Sequence, residues 1–178
     1  MTTITSTSRV NRHSLLGSIV LGGLIIGTVH LIIQEWLVFS LLDKNPFITV
    51  LQYLASGALG NAAFAGGIPT ALLGALFHFI VSFVVAGVFI LSADRIPLLR
   101  RYPISSALMY GFGVFLVMNL IVLPLSAAPP LPAPTTPQLI ELIVEHILVI
   151  GLTLGIIVRR NANELTHSGQ ERMQWQSR

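Results

Sequence analysis

Four long apolar runs, at about residues 15–40, 70–93, 104–126 and 138–158, decide what this chain can fold into. A hydrocarbon core about 30 Å thick takes a helix of about 20 apolar residues, and each run is that long with few ionisable groups. None alternates apolar and polar residues as an outer-membrane barrel strand does. The backbone must therefore satisfy its own hydrogen bonds as helix. Composition agrees, with 53% hydrophobic and 10% charged residues, against roughly 25% charged in a soluble domain. The mean hydropathy is +0.81. The fold class expected is all-α: a polytopic four-transmembrane-helix bundle in one domain over residues 14–160. A short N-terminal segment, 1–13, precedes it and a polar tail, 161–178, follows.

Orientation comes from the basic residues. With the N-terminus in the cytoplasm, Arg9 and Arg12 precede the first run, and Arg95, Arg100 and Arg101 lie in the loop between the second and third. Arg159, Arg160, Arg172 and Arg178 follow the fourth. Of the ten Lys and Arg residues only Lys44 then falls outside, a strong positive-inside pattern. Both termini are placed in the cytoplasm. The pI of about 10.0 does not point to nucleic acid, because the basic residues cap apolar runs instead of clustering among aromatics.

A fifth stretch, PFITVLQYLASGALGNAAFAGG, is long enough to span. A fifth crossing would put Arg95, Arg100 and Arg101 outside, and the stretch is rich in Gly and Ala, with Gln52, Ser56 and Asn61 about one turn apart. It is read as an interfacial or re-entrant helix on the outer face, at about residues 46–65. The first run is about twice the length of a signal-peptide core, so it is read as an uncleaved anchor. The loop AAPPLPAPTTP is too proline-rich for helix and suits a polyproline-like coil.

Counting at 1.5 Å per residue, His30, His78, Asn119 and His146 each lie roughly 10–14 Å below the outer boundary of their helices. Gln34, Glu35, Glu141 and Glu145 complete a polar layer, the glutamates nearer the outer surface. Stripes of small residues accompany it: Gly23, Gly27, His30 and Gln34 on the first helix, Gly74, His78, Ser82 and Ala86 on the second, and Ala107, Gly111 and Asn119 on the third. Small residues let helices approach so that polar groups bond across the gap, which turns the layer toward the bundle interior.

Two roles compete for that layer. As packing glue, each polar contact contributes about 0.6–2 kcal/mol. As a site, intramembrane ionisable groups mark ligand or proton chemistry. His30, His78 and His146 are the candidate cofactor ligands: two imidazoles could hold haem, and three with Glu145 could hold zinc or copper. Titrating histidines also suit proton movement, but the inner half carries no relay beyond hydroxyls such as Ser82 and Thr153. There is no cysteine, hence no thiolate ligand or nucleophile, no HExxH pair and no phosphate-binding glycine loop, so no catalytic residue is assigned.

The order of features HFIVSFVVAGVFILSADRIPLLRRYPISSALMYG, VMNLIVLPLS, a proline-rich loop and EHILVIGLTLGIIVRR resembles a group of uncharacterised bacterial inner-membrane proteins of four transmembrane helices, and more distantly the YagU-like family. The resemblance covers about residues 46–160. It rests on His78, Pro97 with Arg100 and Arg101, Asn119 five residues before Pro124, His146, and Arg159 with Arg160. It implies location and topology and supplies no activity. The function expected is a small integral membrane protein, not an enzyme, packing with itself or with a membrane-protein partner and holding no cofactor. The alternative is a haem-, metal- or proton-binding protein using the three histidines.

Overall fold

A computed structural model describes residues 12–176; Arg9 and Arg178 lie outside them, as do the side chains of Arg12 and Arg172. Among the described residues every regular element is helical. Five helices are long and apolar enough to cross a membrane: Leu15–Val38, Phe47–Ala65, Gly67–Arg95, Pro103–Leu125 and Thr136–Asn163.

The first rod is α1 (Arg12–His30), which widens into a π-helical segment, Leu31–Leu42. Then come α2 (Phe47–Leu59), closed by a 3-10 turn at Gly60–Ala65, the long α3 (Gly67–Arg95) and the short α4 (Pro97–Arg101). The next rod is α5 (Pro103–Val117), a π segment at Met118–Val122 and α6 (Leu123–Leu125). The last joins α7 (Thr136–Glu145), a π segment at His146–Ile150 and α8 (Gly151–Gln176). Helix starts follow local chemistry. Pro97 and Pro103 occupy first-turn positions, where the missing N–H costs nothing. Thr135 and Gln138 close a capping box at the start of α7. Past the apolar part, α8 continues as helix through the polar tail to Gln176.

Four rods form a ring in which neighbours run antiparallel. Gly23 meets Phe83 and Gly27 meets Phe79, while Gly22 meets Leu154 and Ile157. Asn161 donates to the Ser18 hydroxyl at 2.9 Å, fixing α8 to α1. Gly111 lies on His146 and Ile147, Gly151 on Ala107 and Leu108, and Gly155 on Ile104. Tyr110 donates to the Val85 carbonyl at 2.9 Å, joining α5 to α3. The apolar core, including Phe89, Ile90, Ala107, Ile150 and Leu154, fills one half of this ring. The outward faces carry exposed Leu72, Met109 and Leu120, as surfaces turned to lipid would.

Because α1 and α3 are antiparallel and in register, the end of the first rod and the start of α3 lie at the same end of the bundle. α2 connects them there. Gln52 Nε2 donates to the Gly67 carbonyl at 3.1 Å and to the Thr70 hydroxyl at 3.3 Å. The Leu51 carbonyl sits where a Cβ on Gly74 would be. Tyr53 donates to Pro129 O at 3.3 Å, and Ala127 N to Gly57 O at 2.9 Å. α2 therefore packs on the start of α3, touches the π segment of the first rod and reaches the loop after α6. The turn into α3 uses Gly60 and Gly67, both at φ 58°, a backbone region open to glycine at little cost. The polar stripe of α2 faces inward: Gln52 and Ser56 are buried, while Asn61, in the 3-10 turn, is exposed.

Candidate functional site

The half of the ring beneath α2 is filled by side chains from three rods. Imidazole His30 is central: its ring centroid lies 5.3 Å from that of His78 and 5.1 Å from that of His146. His30 Nε2 is 3.3 Å from Glu145 Oε2, and His146 Nδ1 is 3.2 Å from the same oxygen. Two overlapping sets of ligand atoms result, each lying within 4.8 Å: His30, Glu145 and His146, and His30, Glu35 and His78. Each set is two imidazoles and a carboxylate, and His30 belongs to both.

Helix widening assembles this group. In a regular α-helix His30 shares its stripe with Gln34 but not with Glu35, one residue further round. The π segment from Leu31 bonds i to i+5, so both Gln34 and Glu35 come round to the face that carries His30, and both are buried. A second π segment starts at His146. Its wider turn leaves less rotation between neighbours, and the adjacent Glu145 and His146 both reach His30. Glu145 accordingly sits in the histidine layer, buried, and not above it as depth counting at the α-helical rise implies. π turns interrupt α-helices at functional sites more often than elsewhere, and here the two that carry histidine ligands or flank them lie in the layer.

The imidazoles are oriented by backbone carbonyls. His78 Nε2 lies 3.0 Å from the Gly27 carbonyl and His146 Nδ1 lies 2.9 Å from the Leu142 carbonyl. A carbonyl only accepts, so these nitrogens carry the proton. His78 Nδ1 then keeps a lone pair, while at His146 the nitrogen beside Glu145 Oε2 is the same Nδ1 that the Leu142 carbonyl engages. Metal-ligating histidines are held in this way, donating their second N–H to a carbonyl or carboxylate. Aromatic edges support the rings: Phe79 against His78 at 5.8 Å and Phe115 against His146 at 5.7 Å. Gly27 leaves its own carbonyl open to His78; a Cβ there would meet Phe79 at 2.6 Å.

The group is short of hydrogen-bond partners. Among the described residues, six buried side-chain atoms have none: His30 Nδ1, Gln34 Nε2 and Oε1, Glu141 Oε2, and both oxygens of Glu145. All belong to this layer. The contacts of Glu145 with the two imidazoles are close in distance but lack hydrogen-bond direction. Buried polar groups left unpaired cost about 1–3 kcal/mol each, so these atoms call for partners. Glu141 stands at its edge beside Gln34.

Asn119 is not brought into the group. Its amide donates to Phe115 O, four residues back on its own rod, at 2.9 Å. It lies within a π segment, Met118–Val122. The carbonyls of Gly27 and Leu142 and the rings of Phe79 and Phe115 join the site without any sequence signal beyond adjacency to the helical stripes. Haem fits the geometry badly, because axial imidazoles need a porphyrin plane between them, whereas His30 meets its neighbours at 50° and 87° with rings close to contact. A single ion among nitrogen and oxygen donors fits.

Compared with protein-family models, with curated proteins and with solved structures, the chain finds no match.

Proposed function

We propose that this is a multi-pass protein of a bacterial inner membrane that binds a divalent transition-metal ion in the outer half of its bundle. His30, His146 and Glu145 form the primary set, and His78 and Glu35 stand ready to complete the coordination. The observation that carries the reading is the packing of three imidazoles and two carboxylates into two overlapping sets whose ligand atoms lie within 4.8 Å of one another. Imidazole with carboxylate suits zinc, iron(II), manganese or copper(II), and the absence of sulfur donors disfavours copper(I). No catalytic step is part of this reading. The packing reading calls for paired polar groups, and both oxygens of Glu145, at the centre of the group, have no hydrogen-bond partner. Membership of the YagU-like group remains a proposal from motif order.

The same reading has four crossings, with α2 lying at the outer face and both termini in the cytoplasm. The antiparallel register of α1 and α3 supports it. Reporter fusions after Arg101 and after Arg160 are expected to read cytoplasmic, and one near Pro132 periplasmic. A periplasmic reading after Arg101 would overturn this topology.

The metal reading is tested on protein purified in detergent without added chelator. Elemental analysis is expected to find close to one transition-metal ion per chain. Cobalt(II) added after stripping should give visible d–d bands of a nitrogen–oxygen site. At a concentration 100 times Kd the ion adds about 2.7 kcal/mol to stability, so the unfolding midpoint should rise with metal and fall with chelator. Absence of both the bands and the shift across cobalt, zinc, manganese and iron(II) sinks the proposal.

A further inference from the structure

A second polar feature lies at the opposite end of the bundle, where α4 turns into α5 beside α8. A cavity of about 310 Å³ opens there, lined by Arg100, Arg101, Arg159, Ile104, Ser105 and Asn163 among others, and none of its lining residues is acidic. The guanidinium of Arg101 is held 5.4 Å over the Tyr102 ring. The first turn of α5 borders the cavity, has no acidic residue and no side-chain cap, and leaves the amides of Ile104 and Ser105 without an intrahelical acceptor. Three arginines thus line one concave space, with the N-terminus of α5 in its wall. Guanidinium forks match phosphate oxygens in pairs.

The cavity also sits at a boundary. Pro103 begins one of the long apolar helices and Asn163 ends another, and Leu98 and Tyr102 beside it are exposed. The sequence explains these arginines by topology alone, which requires charge on the cytoplasmic side but no cavity. We propose that this cavity binds a phosphate group, supplied by the headgroup of an anionic phospholipid of the inner leaflet, whose acyl chains lie along the exposed apolar side of α4 and α5. The inference rests on the membrane reading and is independent of the metal site.

The test uses full-length protein in nanodiscs and native mass spectrometry, with phosphatidylglycerol and phosphatidylcholine offered together. Wild type should retain phosphatidylglycerol preferentially. Arg101→Gln and Arg159→Gln should each weaken that retention roughly fivefold, the scale of one basic residue at an anionic surface. Arg101→Lys, which keeps the charge but not the fork, should lose part of it. Arg95→Gln, outside the cavity, should leave retention unchanged. The metal content and unfolding midpoint of each variant, measured alongside, separate loss of this site from loss of the fold or of the histidine site. Equal losses from Arg95→Gln and the cavity variants would overturn the site in favour of diffuse surface charge. Displacement of the lipid by millimolar inorganic phosphate would overturn the lipid as the source.

Discussion

His30→Ala is expected to abolish stoichiometric metal binding while leaving the metal-free protein folded. The reason is connectivity. His30 is the one side chain shared by both sets of ligand atoms, so its removal leaves each set with a single imidazole and a carboxylate. Loss of a supporting partner around a metal ligand typically costs 10–100-fold in affinity; loss of the shared ligand should exceed about 100-fold by that scale. The metal-free protein should change little. His30 Nδ1 has no hydrogen-bond partner to lose, and intramembrane polar contacts average about 0.6 kcal/mol. The measurement pairs cobalt titration with thermal unfolding, with and without metal. His30→Ala should keep its metal-free midpoint and lose the metal-dependent rise. Asn119→Ala should keep both, because that amide is turned onto Phe115. A His30→Ala protein that titrates cobalt like wild type would refute the assignment.

The contrast between His30 and Asn119 shows how far a sequence reading extends here. Counting residues from the ends of the apolar runs places three histidines at one depth, and the bundle brings those three together. The same count includes Asn119, whose amide bonds to Phe115 on its own rod, and sets Glu145 above the histidines beside which it is buried. A rise of 1.5 Å and a turn of 3.6 residues hold only while hydrogen bonds run i to i+4. Leu31–Leu42, Met118–Val122 and His146–Ile150 all depart from that, and no residue in those segments announces it. That α2 is a helix was legible from its apolar length. Its inward polar stripe was not, because Gln52 is claimed by the first turn of α3 and not by water. The arginine cavity was invisible, since a topological signal and a phosphate site are written in the same residues.

Gly111→Ala tests the packing on which the site depends, and it is expected to be among the most destabilising single-methyl additions in this chain. A Cβ at Gly111 would stand 2.6 Å from the His146 carbonyl oxygen and 3.1 Å from Ile147 Cα. Both are backbone atoms of the π segment that presents His146, and neither can rotate aside as a side-chain tip would. α5 must move away from the last rod, at a cost of about 1–3 kcal/mol or more, the range for overpacking a tight contact. The π turn loses its supporting face at the same time, so His146 should shift and metal affinity should fall with stability. Gly113→Ala provides the internal comparison. It lies on the same helix with nothing within 4 Å of its added Cβ, and by helix propensity alone it should be neutral or stabilising by up to about 1 kcal/mol. Unfolding in detergent and cobalt titration of the two variants separate the effects. If both substitutions leave stability and metal binding alike, α5 does not press on the π turn, and the wide turn at His146 has to be held open by something other than the glycine beneath it.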